Sequence, residues 1–277
     1  MKSSHLRITT LQPDLKIDEF NNNLNQYQNL FTEFSTTLNI SDVICFPEYW
    51  NGMRKGSYTE TVHETSLDFL KEVAIHYSTC VIGGSHLVND EDSYFNRAHI
   101  FDPSGHLIGT YDKRHPFGYE QLQEITPGDK DFIWQINDWK ATIRICSDLW
   151  NINDYSSLIN KDFDIIFSPI LTTIPDRSFT NYGRFMWHHL AIIRGKEAAA
   201  AVIVSDTAMQ VIRDPYWSAG ASCIVDPSWR FTNEEPIGKN ILSSIPDGSK
   251  GVVTVTLDLD KIRQQRQYRK DMGLLLS

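Results

Sequence analysis

Three side chains in this 277-residue chain have the types and the settings to do covalent chemistry together: Glu48, Lys113 and Cys146. Each comes just after an apolar run, where the chain turns polar. Cys146 follows Trp139, Ala141, Ile143 and Ile145 alternating with Lys140, Thr142 and Arg144, which is the pattern of a half-buried strand. Glu48 follows Val43-Ile44-Cys45-Phe46 and Pro47, and Lys113 ends the strand-like run from His106 to Asp112. Ligands bind outside the carboxyl ends of strands in open α/β sheets, so the three share an address. A thiol has a reference pKa of about 8.5 and needs either a base to take its proton or a cation to favour its thiolate. Glu48 can do the first and Lys113 the second. The lysine can also stabilise the negative charge of a tetrahedral intermediate. Singly each has a plain reading: free cysteine is among the most buried residue types, and lysine is ordinarily exposed.

The elements that must position them read as follows. Leu6 to Leu11 alternates like a strand, and Asn21 to Leu38 carries apolar residues at helical spacing. A helix is expected over Thr61 to Tyr77, then a strand, Cys80 to Ser85, that closes on Gly83-Gly84. Those glycines lack the other positions of a dinucleotide fingerprint. From Tyr94 the period becomes two, through the turn Asp102-Pro103-Ser104-Gly105 to Lys113, which fits a hairpin. The segment Arg114 to Glu124, ending in the turn Thr126-Pro127-Gly128-Asp129, is a long loop of the kind that usually serves function. Phe132 to Ile136 pairs with the Cys146 strand. Further strands are expected at Asp164 to Pro169, Ala198 to Ser205, Ala221 to Asp226 and Gly251 to Asp258, with a helix over Tyr182 to Lys196 and a solvated helix over Asp260 to Asp271. Strand and helix alternate at both ends with hairpins between and after, which predicts an α/β layered sandwich with large mixed sheets.

Composition bounds the function. A hydrophobic fraction of 41% with 22% charged residues supports a core and excludes disorder. The span 1–277 reads as a single domain, with a core of about 6–258 and a tail at 260–277. A net charge of -9 with dispersed Lys and Arg argues against nucleic acid. Met1 to Thr10 has no apolar core of signal-peptide length, and no run approaches the roughly 18 apolar residues of a membrane span. The expectation is a cytoplasmic protein, away from membranes, with Cys45, Cys80, Cys146 and Cys223 reduced. His188-His189 are adjacent and lack the i, i+4 spacing of a zinc pair, so no metal is expected. His115 could act as base in a Cys-His dyad, but a loop-structuring role is favoured.

Three segments taken together carry a family resemblance: Phe46-Pro47-Glu48; Tyr111 to Gly118 leading to Thr126-Pro127-Gly128-Asp129; and Ile145-Cys146-Ser147-Asp148-Leu149-Trp150. In this order the chain resembles the nitrilase, or carbon–nitrogen hydrolase, superfamily from its first strand to about Asp258. The resemblance implies a four-layer α-β-β-α sandwich with two mixed sheets, pairing as a homodimer or higher homo-oligomer. It implies a cofactor-independent Glu-Lys-Cys triad, with Glu48 as general base, Lys113 as stabiliser of the tetrahedral intermediate, and Cys146 as a nucleophile forming a thioester. A further glutamate after the lysine helps to position substrate in such proteins. Glu120 is the candidate, with Glu124 the alternative. The backbone N–H of Ser147 becomes a second oxyanion donor, and Tyr49, Trp150, Pro169 and Trp187 candidate pocket walls.

After the cysteine, Ser147-Asp148 departs from the Trp-Glu of true nitrilases, so a small amide is the expected substrate. An N-carbamoyl compound, a nitrile, or acyl transfer to an acceptor other than water would use the same triad. Two rivals from other classes are a non-catalytic binding module on the same fold and a redox thiol protein, the latter without a resolving cysteine near Cys146 in sequence.

Overall fold

Strand β1 (His5–Gln12) leads into helices α1 (Phe20–Glu33) and α2 (Ser35–Leu38), then strand β2 (Val43–Cys45), helix α3 (Glu60–Tyr77) and strand β3 (Cys80–Ile82). Strands β4 (His86–Asp90), β5 (Ser93–Phe101) and β6 (Leu107–Asp112) form successive antiparallel pairs before the short helix α4 (Tyr119–Leu122). Next come β7 (Ile133–Ile136), β8 (Trp139–Ile143), α5 (Ile152–Ile159), β9 (Ile165–Pro169), α6 (Thr180–Ala198) and β10 (Ala201–Ser205). The hairpin β11 (Val211–Arg213) and β12 (Tyr216–Trp217), strands β13 (Cys223–Val225), β14 (Leu242–Ser244) and β15 (Gly251–Asp258), and helix α7 (Leu259–Asp271) complete the order. This computed structural model describes residues 4–159, 161–228 and 241–275. Parts of the expected 1–277 span, including the last two residues of the 260–277 tail, lie outside the described residues.

Two mixed sheets result. One runs β15-β1-β2-β3-β5-β4, with β6 also on β5; the other runs β14-β13-β10-β9-β8-β7. β1, β2 and β3 are parallel, as are β8, β9 and β10, so their carboxyl ends are aligned within each sheet. The inner faces meet in a core that joins Ile8, Val43 and Ile100 of the first sheet to Ile143, Phe167 and Ile203 of the second. The outer face of the first sheet packs on α1 and α3 through Tyr27, Leu30, Leu70 and Val73. That of the second packs on α5 and α6 through Tyr155, Trp187 and Ala191. The layers are therefore α-β-β-α. Residues such as Val43 and Ile44 are buried on opposite faces of one strand, which is why these strands read as continuous apolar runs.

Several expectations need correction. The helix expected over Asn21 to Leu38 breaks at Phe34, which leaves helical geometry. β4 was not foreseen, because only Leu87 and Val88 are apolar in it. The apolar run from Ala198 starts as helix: alanine favours helix, and α6 ends only where Ala199 turns left-handed at φ 46°. The tail helix is docked rather than solvated. Leu259, Ile262 and Gln265 are buried, and Arg263 and Arg266 reach Asp164 at 2.8 and 3.1 Å.

Candidate active site

Each of the three strand exits is fixed by backbone contacts. Beyond β2, the N–H of Phe46 donates to Ile82 and that of Glu48 to Ile170, so the turn ties the first sheet to the second. Gly84, at φ +55°, lies so close to this turn that a Cβ would stand 1.9 Å from the Pro47 carbonyl oxygen. Gly84 thus serves close packing against the Glu48 turn, whereas a Cβ on Gly83 would stand 2.7 Å from His99 O. Beyond β6, Lys113 N donates to Asn96 O at 2.9 Å, and Gly128 N to Lys113 O at 2.8 Å. A Cβ on Gly128 would be 2.3 Å from Asp112 O, which explains a glycine in the turn Thr126-Pro127-Gly128-Asp129. Beyond β8, Arg144 N still donates to Phe167 O, and Cys146 then opens a short 3-10 turn. Cys146 at φ 47° and Tyr49 at φ 49° are left-handed non-glycine residues, a costly conformation that persists only where the surroundings impose it.

These turns bring the side chains together. Lys113 Nζ lies 2.7 Å from Glu48 Oε1 and 2.5 Å from Glu120 Oε2, all three residues being buried. Asn96 Nδ2 donates to both carboxylates, at 2.9 Å to Glu48 Oε1 and 2.7 Å to Glu120 Oε1. Leu171 N donates to Glu48 Oε2 at 2.8 Å, Tyr49 Oη to Glu120 Oε1 at 3.0 Å, and Phe117 N to Glu120 Oε2 at 2.9 Å. The half-buried Cys146 lies beside Glu48, close enough for the two side chains to interact. All four residues line one cavity of about 470 Å³, whose apolar walls include Phe117, Leu122, Leu171 and Ile212. That volume suits a small molecule. Glu124, by contrast, is exposed, so the glutamate beside Lys113 is Glu120.

The sequence profile of the carbon–nitrogen hydrolase family matches residues 7–267. The chain belongs to this family. It is 37% identical over 244 residues to a hydrolase in the agr operon of Staphylococcus lugdunensis, covering 82% of this chain and 92% of that one. It is 23% identical over 235 residues to a 2-oxoglutaramate amidase of Bacillus subtilis, covering 82% of each. A carbon–nitrogen hydrolase from Helicobacter pylori has the same fold, with a TM-score of 0.80 at 15% identity over 98% of this chain and 94% of that one. The fold is that of the nitrilase superfamily.

In this carbon–nitrogen hydrolase the electrostatics of the thiol differ from the simple expectation. Burial, and then the Glu48 carboxylate, raise the Cys146 thiol well above its ordinary value; Lys113 opposes this but does not win. Burial also raises Glu48, with Lys113 pulling it back and Glu120 adding to the rise. For Lys113, burial favours the neutral amine, yet Glu48 and Glu120 more than reverse that and hold it protonated. The lysine keeps its charge without making a free thiolate, because two carboxylates surround one ammonium.

Of the expected pocket walls only Tyr49 lines the cavity. Trp150 is 49% exposed and stands edge-on to Trp187, ring centroids 5.6 Å apart, and Trp187 belongs to the core beneath α6. Pro169 is buried in β9 opposite Ser205, and the Ser147 hydroxyl donates to the His115 carbonyl. Apolar spacing could not separate core aromatics from pocket aromatics. His115 is engaged with Asp148, its N at 2.8 Å and its Nδ1 at 3.0 Å from Oδ1, which is the loop-structuring role.

Sequence reading missed Asn96, Asp148 and Asp206. Asn96 shares the inward face of β5 with Ala98 and Ile100, and a polar residue at that parity was the available signal. Asp148 is fully buried and also accepts from Tyr111 Oη at 2.7 Å, Arg114 N at 3.1 Å and Ile145 N at 3.2 Å. Asp206, lifted by burial to about 6, accepts from Thr172 N and Oγ1 and so fixes the loop whose Leu171 N–H reaches Glu48. Among the described residues no group of three or more His, Cys, Asp or Glu side chains is arranged to hold a metal ion.

Proposed function

We propose that the enzyme is a thiol amidohydrolase that cleaves the C–N bond of a small amide through a thioester on Cys146. Cys146 Sγ attacks the carbonyl carbon while Glu48 takes the thiol proton, which the raised carboxyl accepts more readily than an ordinary one would. Lys113 Nζ and the backbone N–H of Ser147 stabilise the oxyanion. The intermediate expels ammonia or an amine, protonated by Glu48, and leaves the acyl group on sulfur. Glu48 then deprotonates a water that attacks the thioester, and the thiol recovers its proton. Glu120, held by Asn96 and Tyr49, positions Lys113. The reaction needs no cofactor, and it needs a reducing compartment such as the cytoplasm because the nucleophile must remain a free thiol.

The observation that carries this reading is the contact of one buried carboxylate with both the thiol and the lysine at the floor of a cavity. Mass spectrometry of the protein mixed with short amides should find an acyl adduct on Cys146, and Cys146→Ala should lose turnover by on the order of 10⁴-fold or more. Unchanged turnover in that variant, with no adduct on the wild type, would sink the reading.

The same reading includes a homodimer through the outer face of α6. Tyr182, Phe185 and Ile193 are 67%, 64% and 50% exposed there, at helical spacing, with the exposed Trp150 and Ile152 also apolar. An apolar stripe of this kind marks an interaction surface, and a self-complementary patch closes as a two-fold dimer.

A further inference from the structure

We infer that Asp206 is a positioning residue for Glu48: it holds the Leu171 peptide against the Glu48 carboxylate and fastens that peptide to the β11–β12 hairpin on the cavity wall. This deepens the amidohydrolase reading and rests on it for the role of Glu48 as general base. Asp206 follows Ser205 directly, so it stands at a fourth strand exit, that of β10, beside the exit of the parallel strand β9. It is fully buried, and among the described residues no cation pairs with it. Burying a carboxylate without a counter-charge is costly, and only a full set of hydrogen-bond donors makes it tolerable. Thr172 N at 3.1 Å and Thr207 N at 2.9 Å donate to Oδ1, while Thr172 Oγ1 at 2.8 Å and Ala221 N at 2.9 Å donate to Oδ2. Thr172 Oγ1 in turn accepts from Ala219 N at 2.6 Å.

Thr172 lies between two residues that line the cavity, Leu171 and Thr173, and is itself buried. Its side chain turns to Asp206 while the peptide before it turns to Glu48. On that carboxylate, Oε1 takes both Lys113 Nζ and Asn96 Nδ2, and Oε2 takes Leu171 N at 2.8 Å. Two donors on one oxygen leave the other oxygen free to swing, so the Leu171 N–H fixes the carboxylate plane. Beyond Thr173, Ile174 and Trp217 exchange backbone hydrogen bonds at 2.7 and 2.8 Å, which joins this loop to the hairpin whose Ile212 and Tyr216 line the cavity. The cavity wall and the general base are thereby one unit, tied inside the protein by Asp206.

The sign of the effect is fixed. A hydrogen bond from Leu171 N favours the charged form of Glu48. Loosening the loop weakens that bond, so Glu48 is protonated at higher pH and its basic oxygen is less well aimed. A residue that only supported the fold would lower the melting temperature without moving the pH profile.

The test removes one hydroxyl. Thr172→Val keeps the side-chain shape and deletes the group that joins Asp206 to Ala219. On a short amide, kcat should fall roughly tenfold or more with KM little changed, and the acid limb of kcat/KM should move up by roughly half a pH unit or more. Thr172→Ser, which keeps the hydroxyl, should restore most of both. Asp206→Asn, which sets an N–H against other donors, should act in the same direction as Thr172→Val. A separate arm needs no turnover: the Leu171 amide is followed by NMR, with selective isotope labelling of leucine and Leu171→Ile to assign it. Its resonance should follow the Glu48 titration in the wild type, and should move upfield and lose that response in Thr172→Val. Variants that melt at lower temperature yet keep the wild-type acid limb, or an amide resonance unmoved by Thr172→Val, would overturn the inference. A resonance that moves as expected in a protein that hydrolyses no amide would instead support the tie from Asp206 to Glu48 and refute the amidohydrolase reading.

Discussion

A cysteine flanked by one ammonium and two carboxylates differs from one flanked by an ammonium alone. The Cys146 thiol is held protonated by burial and by Glu48, so its thiolate is scarce in the free protein. Two signs follow for a reagent such as iodoacetamide. Wild-type alkylation at Cys146 should keep rising with pH beyond the range where an ordinary thiol has ionised. Glu48→Gln removes a negative neighbour, favours the thiolate and should raise the rate at pH 8 by roughly severalfold, whereas Lys113→Ala should lower it. A rate already level below pH 8 in the wild type would contradict this account. In the proposed mechanism Glu48 must be ionised to act, and burial raises it, so the acid limb of kcat/KM should lie above the usual carboxylate range.

Between elements, Asp148 couples the turn that begins at Cys146 to the loop that follows Lys113. It accepts from Ile145 on one side and from Tyr111, Arg114 and His115 on the other, with no solvent to replace it. Asp148→Asn presents an amide N–H to donors. It should cost about 3 kcal/mol of stability, as buried groups are left unpaired, and on the order of 10²-fold in kcat as Cys146 shifts relative to Lys113. Thermal unfolding together with steady-state kinetics measures both. A folded variant with kcat within twofold of wild type would show that the coupling is not needed. The sequence places Asp148 in a segment that resembles the family and differs from the Trp-Glu of true nitrilases, but assigns it no role, because a hydrogen-bond acceptor for two distant segments has no local signature. Asn96 was more accessible: the two-residue period already placed it on the inward face.

Across the whole molecule, the exposed stripe on α6 carries the remaining prediction. Phe185→Asp puts a charge in the centre of that stripe, so sedimentation should show a dimer for the wild type and a monomer for the variant at micromolar concentration. An unchanged dimer would place the interface elsewhere, and a monomeric wild type would remove it. No helix among the described residues is long and apolar enough to cross a membrane.

The chain alone determined which residues end strands, because hydrophobic period and its interruption are local properties. That was enough to single out Glu48, Lys113 and Cys146 and to anticipate an α/β layered sandwich; the four layers and the choice of Glu120 over Glu124 came from the family resemblance. It could not determine that Glu48 and Lys113, from one sheet, would meet Cys146, from the other, nor that Asn96, Leu171, Asp148 and Asp206 would fix them there. Nor could it tell that Trp150 and Trp187 pair away from the cavity while Ile212 and Arg213 line it. Those contacts join segments dozens of residues apart. They exist only once two twisted sheets pack face to face and their aligned strand ends enclose a common space.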